Sequence, residues 1–208
     1  MAGGVSAGVA AGTAWLRRWR PTDEEIHRSY PGEELVQGGR RTATLAVTLQ
    51  AAPDAVWPWL AQMGCDRAGW YSYDRLDNGG VPSADQIHQE WQQVAVGDIW
   101  HGVPGGGMGD WEVTIVEPGR GLTLRSTATL RGRLFDRSGQ WPSGYTDLVW
   151  GFWLDEVPDG QSRLVSVLRF AGRPRWLTGA LAELFFRPAH LIMSDRQLVN
   201  LRRRVEHG

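Results

Sequence analysis

Within the segment Trp70–Asp74, two phenols (Tyr71, Tyr73) and a carboxylate (Asp74) lie beside an indole, the densest group of proton-moving side chains in the sequence. Such a group could orient a polar ligand or serve as a general acid or base. The same residues also suit a structural role, the aromatics sealing one end of a cavity and Asp74 capping a helical turn. His190 is the remaining candidate for proton transfer, because only histidine titrates near neutrality without perturbation. Arg169 could hold a ligand carboxylate or stabilise an oxyanion if its face of the strand points inward. If that face points outward, it is one more solvated cation.

Other chemistries find no support. His27, His88, His101, His190 and His207 are scattered, with no HxH or HxxxH spacing, so no metal site is expected. The single cysteine, Cys65, has only Arg67 as a basic neighbour and is a poor candidate for an activated nucleophile. All 22 basic residues are arginine, which excludes a Schiff-base lysine and a P-loop lysine. The glycines of Pro104–Gly109 precede neither a lysine nor a helix signal and read as a turn. No cofactor is implied.

The elements that must position these residues can be read from periodicity. Thr42–Gln50 alternates as a strand, and Pro53–Met63 reads as a short helix with Pro58 inside it. A polar and aromatic connection follows over Cys65–Gly80, with a helical turn near Ser72–Asp77. Strands are expected at Gly97–Val103, Trp111–Glu117, Leu122–Leu130, Thr146–Glu156 and Ser162–Ala171, the last two joined as a hairpin. Leu148, Trp150, Phe152 and Leu154 form one apolar face that must point inward. In the partner strand both Leu164-Ser166-Leu168-Phe170 and Arg163-Val165-Val167-Arg169 could do so. Arg187–Glu206 reads as a long helix with Pro188 in its first turn. Its apolar arc holds Leu191, Leu198, Leu201 and Val205, with His190 at the edge and Asp195 and Arg202 inside. Those two polar groups either enter a cavity or reach solvent past the sheet edge.

The order of elements describes an α+β protein: a curved antiparallel sheet wrapped around a long C-terminal helix, with a central cavity between them. The chain has 208 residues, 42% of them hydrophobic, enough for one full core. Its 12 tryptophans suit an aromatic-lined pocket. A formal net charge of −1 offers no field for a polyanion, so no nucleic-acid partner is expected. The Ala- and Gly-rich residues 1–20 are too short for a membrane span and lack a basic region ahead of the apolar stretch, so a frayed tail or short helix is expected and membrane contact is not. Pro21–Glu25 reads as a helix start that Tyr30–Gly32 ends. A lone cysteine fits a reducing, cytoplasmic setting.

Ala52–Leu60 followed by Gln62-Met63-Gly64 resembles the first helix of the SRPBCC superfamily, the START-like, pollen-allergen-like helix-grip proteins that include polyketide cyclase/dehydrase types. Trp70–Asp74, Glu90–Gln92, Val96–Asp98, Val116–Gly119 and Pro188–Met193 leading into Arg202–Glu206 are similar to a bacterial branch of it. Arg137–Gly144 departs from the usual pattern as an unusual loop. The resemblance implies a helix-grip domain over residues 40–207, preceded by an N-terminal extension, residues 1–39, that is partly disordered or helical. It also implies a cavity for a lipid, sterol or polyketide-like molecule. Ligand contact is then expected from Trp57, Trp70, Tyr71, Tyr73, Trp91, Trp150, Phe152, Arg169 and His190. The alternative is a cofactor-independent cyclase or dehydratase whose acid/base group comes from Tyr71, Tyr73, Asp74 or His190.

Overall fold

The computed structural model describes residues 18–207, so most of the tail expected at residues 1–20 lies outside the described residues. Helix α1 (Asp23–His27) and a 3-10 turn (Glu33–Leu35) lead into β1 (Arg40–Leu49). Helices α2 (Pro53–Ala61) and α3 (Asp74–Asp77) follow, then a 3-10 turn (Gln89–Trp91) and the strands β2 (Ile99–Trp100), β3 (Trp111–Glu117), β4 (Gly121–Thr129), β5 (Tyr145–Val157) and β6 (Gln161–Arg173). Helix α4 (Arg175–Leu181) runs through a π-helical segment (Ala182–Phe186) into α5 (Arg187–His207). The strands form one curved antiparallel sheet in the order β1-β6-β5-β4-β3-β2. The long helix covers its concave face, which is the α+β, helix-grip arrangement.

Register settles which faces meet the helix. Leu148, Trp150, Phe152 and Leu154 of β5 stand opposite Phe170, Leu168, Ser166 and Leu164 of β6. Directly opposed residues share a face, so these eight point together toward α5, whose Leu198 and Leu201 join the same core. The alternate face of β6, with Val165 and Val167, meets Trp153, Ala46 and Tyr30 in a second core on the convex side. Arg169 belongs to that outer face.

The convex side is apolar because the N-terminal segment straps over it. Ahead of this strap, Trp19 is buried in the concave core beside α5, its Nε1 donating to Asp195 at 2.6 Å. In α1, Thr22 and Glu25 form a reciprocal capping box, an arrangement that stabilises a short helix by about 1 kcal/mol. Glu25 also accepts a two-pronged pair from Arg163 of β6, at 2.7 and 3.0 Å. Further along, Arg28 grips Asp155, Arg41 pairs with Glu33, and Arg125 donates to the Leu35 carbonyl at 2.9 Å. Gly32, at φ 95°, passes so close to the sheet that a Cβ there would lie 2.6 Å from the Thr123 methyl.

Two elements differ from their sequence reading. The strand expected over Gly97–Val103 is only Ile99–Trp100. Beyond it the chain enters a loop of left-handed glycines (Gly105, Gly106, Gly107, Gly109), and the buried Asp110 carboxylate gathers its amides, accepting from Gly107 at 2.6 Å. The last helix also begins earlier than Arg187, with α4 and the π-helical segment ahead of it. Trp176, Leu184, Phe185 and Phe186 there are all exposed, so no apolar stripe marks the segment as a packed helix.

Candidate functional site

A cavity of about 320 Å³ opens between the concave face and the first half of α5. It exists because this half of the helix does not present leucines to the sheet. Ala189, His190, Met193, Ser194 and Gln197 lie there, whereas Leu198 and Leu201 close the core below. The opposite wall is Leu148 and Trp150 of β5, Leu168 of β6 and Trp111 of β3. Trp70 closes one end, and the glycine loop with Met108 and the helical segment with Phe186 form the rim.

Trp150 is the centre of the wall. Its ring stacks on Trp70 at 5.5 Å, meets Trp111 at 5.5 Å and Phe152 at 4.7 Å, and takes His190 edge-on at 5.2 Å. Its Nε1 donates to the Ser166 hydroxyl at 3.0 Å, so the ring's polar handle is satisfied inside the core. Trp70 is fixed at both ends: Nε1 donates to the His101 carbonyl at 3.1 Å, and its own carbonyl accepts from Gln197 at 3.0 Å.

Few polar groups face this space. His190 lies 3.3 Å from the Ser194 hydroxyl, and burial lowers its pKa to about 4, leaving it neutral at physiological pH. The Ser72 hydroxyl is committed to the Met193 carbonyl at 3.0 Å. Asp77, at the end of α3, is the exception. It is 4% exposed and borders the cavity with both carboxylate oxygens covered, and among the described residues neither oxygen meets a hydrogen-bond partner. Burial, and secondarily the charge of Asp74, raise its pKa to about 6, against partial offset from the dipoles of its own backbone, Ser72 and Tyr73.

An unpartnered buried carboxylate is a stability liability with a defined sign. The folded state holds the Asp77 proton up to about pH 6, the unfolded chain only to the ordinary 3.8. Stability therefore falls as pH rises between these values. Asp77→Asn is expected to raise the unfolding free energy by up to about 3 kcal/mol above pH 6 and to change little at pH 4 or below. Chemical denaturation at pH 4 and pH 8 measures this. An asparagine variant no more stable than wild type at pH 8 would show that the carboxylate is already paired.

The structure gathers Trp70, Trp150 and His190 at the cavity, and the other expected site residues elsewhere. Phe152 is fully buried below the cavity floor, and Trp57 packs on the edge of the core. Trp91 lies against His88, 4.6 Å between rings, and gives its carbonyl to Arg67. Tyr71 is sealed in the core: its hydroxyl accepts from Gln62 at 2.9 Å and donates to the Trp59 carbonyl at 3.1 Å. Burial pushes that phenol well above its usual pKa. Tyr73 is exposed, and Asp74 accepts from Ser83 at 2.5 Å, outside the cavity lining. Arg169 is on the convex face, donating to the Val36 carbonyl at 3.3 Å, where no ligand in the cavity can reach it. Neither Asp195 nor Arg202 lines the cavity: Asp195 holds Trp19, while Arg202 stacks over the same ring at 5.6 Å and reaches solvent, its side chain 42% exposed.

Asp77, Trp111, Met193 and Gln197 have no counterpart in the sequence reading. A signal existed for the helix residues, since His190, Met193, Ser194 and Gln197 recur at helical spacing beside the apolar arc. A wider depression of about 700 Å³ lies on the convex side between the strap and β1, where Arg41 pairs with Glu33 and Arg169 donates to the Val36 carbonyl. Among the described residues, no three His, Cys, Asp or Glu side chains converge as metal ligands, and no helix is long and apolar enough to cross a membrane.

No protein-family model matches the chain, and no curated protein matches it. Among solved structures it is similar to a protein from Arthrobacter aurescens, at 16% identity and a TM-score of 0.45, over 79% of this chain and 86% of that one. It is similar to a conserved protein of unknown function from Enterococcus faecalis, at 13% identity and a TM-score of 0.44, over 82% of this chain and 78% of that one. The KanY protein is similar at 16% identity and a TM-score of 0.44, over 82% of this chain and 99% of that one.

Proposed function

We propose that the protein is a helix-grip domain of the SRPBCC (START-like) type that binds a hydrophobic or amphipathic small molecule between its sheet and C-terminal helix. The observation that carries this reading is the cavity itself: about 320 Å³ walled by Trp70, Trp111, Trp150, Leu148 and Leu168. That volume falls within the range of small-molecule sites, and a few polar groups among apolar walls is the pattern such sites show. The tryptophans among the described residues do not fill the space, which disfavours a purely structural module. The alternative, an acid/base cyclase or dehydratase, calls for coupled proton-transfer groups. Asp77 and His190 line the same cavity but share no hydrogen bond, so binding is the reading we adopt. A cytoplasmic location without a nucleic-acid partner accords with the lone cysteine and the balanced charge.

Titration with the neutral dye Nile red, read by tryptophan emission, tests the proposal. Saturable binding at micromolar affinity or better is expected, because any ligand must contact Trp150. Ala189→Trp, an exposed position beside the mouth, should weaken binding about tenfold or more, equivalent to ~1.4 kcal/mol. Native mass spectrometry of the purified protein should show a co-purifying small molecule. The absence of any saturable change with Nile red and with sterols, fatty acids and aromatic polyketides would overturn the ligand-binding reading.

A further inference from the structure

We propose that the end of the molecule around the cavity mouth docks on an anionic lipid bilayer, through exposed apolar residues of α4, the π-helical segment and two adjoining loops, ringed by arginines. Trp176 is 77% exposed, Leu184 69%, Phe185 65% and Phe186 50%. Ile192, two turns beyond Phe185, is exposed as well. Single exposed apolar side chains are ordinary, but so many large ones on one short stretch form a patch that marks a contact surface. Neighbouring loops extend it. Met108 of the glycine loop lines the cavity together with Phe186 and packs over Gly132, where a Cβ would lie 2.9 Å from its side chain. Leu130 packs in the same way on Gly144, next to the Tyr145–Arg173 pair at the end of β5 and β6. Met108 and Leu130 are themselves exposed, so the apolar surface continues from the helical segment across the mouth to the β4–β5 connection.

The charge around this patch selects the occupant. Arg131, Arg133, Arg173 and Arg175 are exposed, and among the described residues none of them pairs with a carboxylate. The nearby acids are already engaged: Glu183 lies between Arg40 and Arg187, and Asp136 accepts from Ser138. A depression of about 260 Å³ at the seam of β6 and α4 has Arg40, Arg173, Arg175 and Tyr145 on its walls, room for a phosphate group at the edge of the patch. Trp, Phe and Leu flanked by Arg is the composition of surfaces that lie in the headgroup region of a bilayer, a contact that needs no spanning helix. A second copy of the chain would set the same unpaired arginines against these, and like charges oppose that pairing. The docking face goes beyond the ligand reading and does not depend on it. With a ligand in the cavity, it places the mouth against the lipid.

Co-sedimentation of the full chain with vesicles tests this, using phosphatidylcholine alone and phosphatidylcholine with about 30 mol% phosphatidylglycerol, at about 0.1 M and about 0.5 M salt. At the lower salt, binding to the anionic vesicles should exceed binding to the neutral ones by at least about tenfold, and the excess should shrink at the higher salt. Trp176→Ser with Phe185→Ser should weaken binding to the anionic vesicles by about tenfold or more. Arg173→Gln with Arg175→Gln should weaken it by a similar factor, since each basic residue near an anionic surface is worth roughly fivefold. Arg120→Gln, at the opposite end of the sheet, should change nothing. All these side chains are exposed, so matching thermal unfolding reports that the variants fold. No preference of wild type for the anionic vesicles, serine variants that bind like wild type, or an equal loss in Arg120→Gln each overturns the docking face. Self-association of the full chain that the serine pair abolishes, without vesicle binding, assigns the patch to a second copy and overturns it too. Saturable Nile red binding alongside any of these failures leaves the ligand cavity standing.

Discussion

Truncating Trp150 to alanine is expected to lower stability by about 3–5 kcal/mol, the usual cost of deleting a buried indole. The expectation rests on its position: Trp70, Trp111, Phe152 and His190 all pack on this one ring, at 4.7 to 5.5 Å. The Ser166 hydroxyl would also lose its donor at 3.0 Å, leaving a polar group in an apolar wall. Trp150→Phe retains most of the packing and should cost less. Denaturant unfolding followed by circular dichroism measures both. Nile red affinity should fall by at least about tenfold (~1.4 kcal/mol) in the alanine variant under conditions where it is folded. A stability loss below about 1 kcal/mol would show that the aromatic cluster is not the packing centre of the concave face.

The second large effect lies on the convex face. Asp147 is 4% exposed and accepts from Arg125 Nε at 2.9 Å, Arg125 Nη2 at 2.8 Å and Thr127 Oγ1 at 2.9 Å. Arg125 also donates to the Leu35 carbonyl, so the pair fastens the strap to the sheet. Asp147→Ala leaves a guanidinium desolvated and unpaired, which typically costs about 3–5 kcal/mol. Replacing both partners, as Arg125→Met with Asp147→Leu, should recover more than half of that loss, because a buried ion pair is often matched by well-packed apolar residues. Thermal and urea unfolding of the two single variants and the double variant form the cycle. Limited proteolysis should show faster cleavage within residues 18–39 of the alanine variant. Equal stability of Asp147→Ala and wild type would mean the strap is held by its other contacts alone.

The sheet was largely legible from sequence because its strands read as runs of apolar and β-branched residues bounded by turn signals, as at Trp111–Glu117, Leu122–Leu130 and Thr146–Glu156. The inward direction of Leu148–Leu154 followed from four large apolar residues at a period of two. In β6 both faces are apolar enough to point inward, and periodicity could not choose between them. The reason is now evident: the sheet is buried on both sides at β6, by α5 on one face and by the N-terminal segment around Tyr30 on the other. Arg169 was therefore open to two readings until the register with β5 was known.

By itself, the sequence determined the fold class, the long covering helix, and the exclusion of lysine chemistry. These depend on residue type and local spacing, which a one-dimensional pattern carries. It also marked Trp70, Trp150 and His190 as cavity residues, since each lies on or beside an inward face. Only the tertiary structure decided where the cavity opens, that Tyr71 is sealed behind Gln62 and Trp59, and that Asp77 has no partner. Whether a carboxylate is satisfied depends on what other segments bring to within about 3 Å of it. For Asp77, no segment among the described residues brings a hydrogen-bond partner to either oxygen.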